Sequence, residues 1–122
     1  MTQENKDLLL KDLCARLPYG VKVKIKHYDD AWKLLAIYTN GTTYATKDIG
    51  YPIETYFEDC KPYLFPLSSM TEEQKREEYK LMNSNFYTAT VDLPDFYNKN
   101  HIDYRGLIPM GLAKDASGLN IY

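Results

Sequence analysis

His101 and Asp103 form an H-x-D pair, followed at once by Tyr104 and Arg105. A carboxylate beside an imidazole can orient a general base, so this pair is the first candidate for catalysis. Residues two apart do not face each other on a helix, and no motif places a Ser or Cys nucleophile beside them. A small enzyme built on His101 and Asp103 is therefore a subordinate reading, and no catalytic residue is assigned. Cys14, His27, Cys60 and His101 are scattered, without C-x-x-C or H-x-x-x-H spacing. Asp29 and Asp30 are adjacent, but an EF-hand needs more oxygen ligands at fixed spacing. Glu72, Glu73, Glu77 and Glu78 interleave with Lys75, Arg76 and Lys80, which is the pattern of a solvated helix face with Glu72 and Arg76 as an i,i+4 pair. No glycine-rich phosphate loop occurs. Neither a metal nor a cofactor is expected.

Two candidate contact surfaces remain. Lys22, Lys24 and Lys26 alternate with Val21, Val23 and Ile25, so one face of a strand carries three lysines about 7 Å apart. Lys33 lies near them. Such a row could meet phosphates, and its binding would weaken steeply with salt. The other surface is aromatic. Tyr44, Tyr51, Tyr56, Phe57, Tyr63 and Phe65 fall within 22 residues. Tyrosine joins a flat apolar ring to a polar tip, which suits contact surfaces and half-buried sheet positions alike. Tyr56, Tyr63 and Phe65, with Tyr104 and Arg105, are the candidate residues for a protein partner.

The elements that must position these residues follow from periodicity. Gln3 to Arg16 reads as a helix, with Leu10, Leu13, Cys14 and Leu17 as its apolar stripe and Lys6, Asp7, Lys11 and Asp12 on its wet side. Cys14 on that stripe is expected to be buried. Pro18 ends the helix. Val21 to Lys26 is a half-buried strand, and Lys33 to Thr39, apolar on both faces, a central one. Asn40-Gly41 predicts a type I′ hairpin turn into a strand over Thr42 to Thr46. Ile53 to Phe57 is a fourth strand. Pro62 and Pro66 assign Lys61 to Pro66 to an edge strand or an extended crossing. Thr71 and Gln74 have capping-box spacing for a surface helix running to Met82. Alternation over 84 to 91 permits a short strand. Asp92 reads as an N-cap with Pro94 in the first turn, and Asp103 as the cap of one further turn. The tail from Asp115 to Tyr122 is expected to fray.

The chain has 122 residues, 44% of them apolar and 26% charged, which is one ordinary globular domain spanning 1–122. A net charge of -2 does not indicate a dedicated, strongly basic nucleic-acid binder. Twelve tyrosines against one tryptophan is the compositional anomaly. The N-terminus carries no signal core and no stretch reaches the ~20 apolar residues of a membrane span. A cytoplasmic protein with free thiols and no membrane partner is expected.

Lys61-Pro62-Tyr63-Leu64-Phe65-Pro66-Leu67-Ser68-Ser69-Met70-Thr71, with Glu72 and Glu73, resembles a segment of small uncharacterised proteins of Bacteroides-type gut bacteria and their prophages. His101-Ile102-Asp103-Tyr104-Arg105-Gly106-Leu107-Ile108, closing in Gly111-Leu112-Ala113, is similar to their C-terminal signature. The resemblance runs from about Gly20 onward. It implies a mobile-element or phage context and carries no known activity. The sequence thus predicts an α+β domain: an N-terminal helix on a small, mainly antiparallel, curled sheet of SH3-like form, with short C-terminal helices. The function expected is that of a non-catalytic interaction or accessory protein with an unidentified protein partner. The alternative is a nucleic-acid-associated regulator using Lys22, Lys24 and Lys26.

Overall fold

The computed structural model describes residues 1–47 and 50–122. Helix α1 spans Gln3–Arg16, and the Thr2 hydroxyl caps it by accepting from the Asn5 N–H at 3.1 Å. Its buried face is Leu9, Asp12, Leu13 and Arg16. The i, i+3, i+4, i+7 spacing is the expected one, but its phase is one residue earlier. Asp12, assigned to the wet side, is fully buried, and Cys14, assigned to the core, is exposed. Hydrophobicity alone set the wrong phase, because an ion pair occupies half of the buried stripe.

Six strands follow: β1 Lys22–Ile25, β2 Ala31–Ile37, β3 Thr42–Thr46, β4 Ile53–Tyr56, β5 Cys60–Leu64 and β6 Lys114–Asp115. Their order in the sheet is β4-β3-β2-β1-β5-β6, antiparallel except for the β5–β6 pair. The α+β class is as expected. β4 and β6 stand at opposite edges and do not pair with each other among the described residues, so an SH3-like barrel is not shown.

Alternation sorts the sheet into two faces. Val21, Val23, Ile25, Trp32, Leu34, Ala45 and Cys60 point inward and form one core with Leu9 and Leu13 of α1. A bulge between Leu34 and Ala36 shifts the phase of β2. It sends Ile37 inward against that core and leaves Leu35 exposed. This is why β2 reads as apolar on both faces. A smaller cluster joins Leu64 to Leu107, Leu112 and Ala113, with Leu8 of α1 packed on it, so α1 serves both cores.

The hairpin between β2 and β3 differs from a type I′ turn. Gly41 has φ 89°, but Asn40 does not have positive φ. The Gly41 N–H bonds the Tyr38 carbonyl at 2.9 Å, and the Tyr38 N–H bonds the Thr42 carbonyl at 2.8 Å. That is a three-residue loop in which glycine alone supplies the left-handed step. Asn40 instead uses its side chain, accepting from the Thr42 N–H at 3.0 Å.

β5 lies between β1 and β6 despite Pro62, contrary to the edge assignment. The Leu64 carbonyl accepts from Ala116 on the β6 side, so by alternation the backbone of Pro62 faces the same side. β6 pairs only with Tyr63 and Leu64, so no ladder donor is demanded of the proline. Helix α2, Glu72–Met82, starts with the Thr71–Gln74 capping box and buries no residue. Residues 84 to 91 form no strand. Phe86 begins a helical stretch that passes through a π turn at Thr88–Asp92 into α3, Leu93–Lys99. The widened turn sits just before Pro94, whose ring would clash with the carbonyl one turn back in a regular helix. Asp92 is inside this run and makes no side-chain cap.

The tail does not fray at its end. The Tyr122 hydroxyl lies between β1 and β5, accepting from the Lys22 N–H at 2.9 Å and donating to the Tyr63 carbonyl at 2.8 Å. It thereby joins two strands just beyond the last paired residues, Val23 and Pro62. Tyr122→Phe is expected to cost about 1–3 kcal/mol, because both backbone groups lose their partner. A urea midpoint unchanged from wild type would refute this role.

Candidate functional site: a lysine ladder on the open sheet face

The outward face of the sheet is built by register. Lys22 pairs with Lys33, Lys24 with Lys61, and Tyr63 with Lys114. Paired residues share a face. Five lysines from four adjacent strands therefore stand together, with Tyr63 among them. Two of the cross-strand pairs are lysine directly opposite lysine, an arrangement that destabilises a sheet. Among the described residues none of the five makes an ion pair within 4.0 Å; Lys24 Nζ donates to the Ile25 carbonyl at 2.9 Å.

At one end the ladder opens into a cleft of about 410 Å³, lined by Lys24, Lys26, His27, Lys61 and Lys114, with Glu58 and Asp59 at its side. Glu58 is engaged by Lys6 at 3.6 Å. His27 lines the cleft from a left-handed backbone position, φ 72°. Lys22 and Lys24 are half-buried, as Lys61 is, and Lys26 and Lys114 are exposed. The three lysines singled out by alternation therefore do share the outward side. Lys61 and Lys114 were not recognisable as their neighbours, because only strand pairing brings them there.

The aromatic candidates divide. Tyr56 is 58% exposed and Tyr51 94%, but Tyr63 is only 8% exposed. Phe65 is half-buried and packs near Tyr122 at 5.9 Å between ring centroids, and Phe57 packs on the core. Tyr104 and Arg105 are internal fastenings. Asp12 Oδ2 accepts from Arg16 Nε at 2.9 Å, and Asp12 Oδ1 from an Arg105 guanidinium nitrogen at 2.8 Å. Arg16 also donates to the Ile102 carbonyl at 2.7 Å. The Tyr104 ring stacks on Tyr97 at 4.9 Å, with both guanidiniums over it at 5.6 and 4.5 Å.

His101 and Asp103 are not brought together as an acid–base pair. Asp103 accepts from the Leu107 and Ile108 N–H groups at 2.7 and 2.9 Å, so both its oxygens hold a turn. His101 stacks face to face on Tyr122 at 3.7 Å. Burial, with the Arg16 charge second, lowers its pKa to about 4. Burial and the neighbouring Asp59 raise the Cys60 thiol to about 12, which removes it as a nucleophile at neutral pH. No cluster of three metal-ligating side chains occurs among the described residues. No described helix is long and apolar enough to cross a membrane. On α2, Glu72 pairs with Lys75 at 3.3 Å, not with Arg76.

No family model, curated protein or solved structure matches this chain. The functional reading therefore rests on the ladder's geometry. Five ammonium groups on one face can neutralise a series of anionic charges. The arrangement is suited to binding.

Proposed function

We propose that this protein is a non-catalytic binding protein whose lysine ladder engages the phosphate backbone of a nucleic acid. The observation that carries the reading is the pairing of Lys22 with Lys33 and Lys24 with Lys61, with no carboxylate in ion-pair contact among the described residues. A local rule broken on a well-formed sheet is expected where function is served. A polyanion lying across the strands would turn this repulsion into attraction. A protein partner at Tyr104 and Arg105 has less support, because both side chains are committed to the fold.

The test uses Lys22→Glu with Lys24→Glu. Each change places a glutamate opposite a lysine, so stability should hold or rise by about 0.2–1 kcal/mol per pair. Binding of an oligonucleotide at low salt should fall at least tenfold. In wild type, log affinity against log salt should slope at roughly -0.7 for each phosphate neutralised on a single strand, and the double variant should flatten it. Equal affinity and equal slope in a folded double variant would remove the reading.

A further inference from the structure

The open sheet face has a second half. The bulge at Leu35 turns Tyr38 outward, and the Tyr38 N–H bond to the Thr42 carbonyl places it beside β3. On the other side of Thr42 stands Tyr56, its partner on β4. Tyr44, two residues along β3, meets Tyr38 edge to face at 5.7 Å. Tyr38 and Tyr56 are 57% and 58% exposed. The hydroxyls of Tyr38, Tyr44 and Tyr56 make no hydrogen bond to a described residue. Three rings thus share the face of the lysines, starting on the strand that carries Lys33. The whole face crosses six strands, about 24 Å at the usual strand spacing.

Resting on the nucleic-acid reading above, we infer that the ligand is single-stranded, with its phosphates on the lysine ladder and its bases stacked on Tyr38 and Tyr56. A duplex hides the flat faces of its bases inside its own stack, so it has no use for these rings. An unpaired strand presents them, and stacking on aromatic side chains accepts any base. Charge supports this division of the surface. Glu54 pairs with Tyr44 on the same face and is exposed. A phosphate would be repelled there, whereas an uncharged base is not. The lysines and the tyrosines therefore select different parts of one ligand, backbone at one end and bases at the other.

The experiment is fluorescence anisotropy with labelled oligothymidylate of about 12 nucleotides, a length within the site sizes of single-strand binders. A blunt duplex of similar length and heparin are the comparison ligands. Wild type should prefer the single strand to the duplex at least tenfold. Tyr38→Ala with Tyr56→Ala should weaken the single strand at least tenfold and leave heparin affinity within twofold. Both rings are exposed, and far-UV circular dichroism will verify that the variant is folded. Equal affinity for duplex and single strand, or a tyrosine variant that binds the single strand as wild type does, would overturn the inference. If the lysine variant still loses binding in that case, the nucleic-acid reading stands alone. If wild type binds none of the three ligands at low salt, both readings fall.

Discussion

Asp12→Ala is expected to destabilise the protein by about 3–5 kcal/mol, the usual result of removing one partner from a buried ionic network. Asp12 and Arg16 are both fully buried, and Asp12 holds two guanidiniums at 2.9 and 2.8 Å. Without it, Arg16 and Arg105 remain within reach of one Tyr104 ring and no counter-charge. Arg16 would keep its bond to the Ile102 carbonyl, which cannot neutralise it. A typical domain has only about 5–15 kcal/mol of stability, so a large share would be lost. Asp12→Asn keeps the shape and one acceptor, so its cost should be smaller. Urea unfolding gives the answer: a midpoint far below wild type at an unchanged slope. A loss under about 1 kcal/mol would mean that the network does not fasten the C-terminal segment to α1.

The same network explains why α1 was legible as a helix but not in its orientation. Gln3–Arg16 can be read from spacing and from the Thr2 cap. Its phase depends on Arg105, 93 residues away, which makes burial of Asp12 tolerable. Local pattern holds no such information. β1 is the opposite case: Val21, Val23 and Ile25 alternate with lysines, and alternation alone fixes their faces. Residues 84 to 91 fell between these cases. Their alternation is compatible with a strand, but Pro94 and the π turn belong to a helical path that pattern-reading does not anticipate.

The candidate site was half-visible for a related reason. Lys22, Lys24 and Lys26 sit on one short segment and declare themselves. Lys61 precedes a proline in β5, and Lys114 lies in a two-residue strand. Their place on the ladder follows from long-range register, which no window of sequence contains. The tyrosines show the converse. Tyr63 and Tyr56 lie in similar contexts, yet one is buried and the other at the surface. Aromatic content marked the region, and packing decided which rings are free.

Acidification should test the C-terminal segment directly. His101 has a pKa of about 4 in the fold, against an ordinary 6.5, because burial and then Arg16 disfavour its charged form. The groups facing it are the Tyr122 ring and the Arg16 guanidinium, and neither offers a negative charge. Between pH 6.5 and 4 the unfolded chain binds a proton that the folded chain refuses, so stability falls as pH drops through this window. At 1.36 kcal/mol per unit the full shift would be about 3 kcal/mol, but the imidazole is only partly buried and solvent screening cuts the loss to about 1–2 kcal/mol, complete below the folded value. Well above pH 6.5 the imidazole is neutral in both states and adds no slope. His101→Asn isolates this contribution. Asparagine tolerates the left-handed backbone at this position, φ 58°. The variant gives up the stacking contact, so its stability at pH 7.5 should be lower than wild type. As pH falls to 4, however, the two curves should converge by about 1–2 kcal/mol, because carboxylates elsewhere titrate in both proteins. Urea midpoints measured across this range decide the matter. Parallel curves would mean that His101 is protonated as readily in the fold as in the unfolded chain, and that the Tyr122 stack does not exclude its charge.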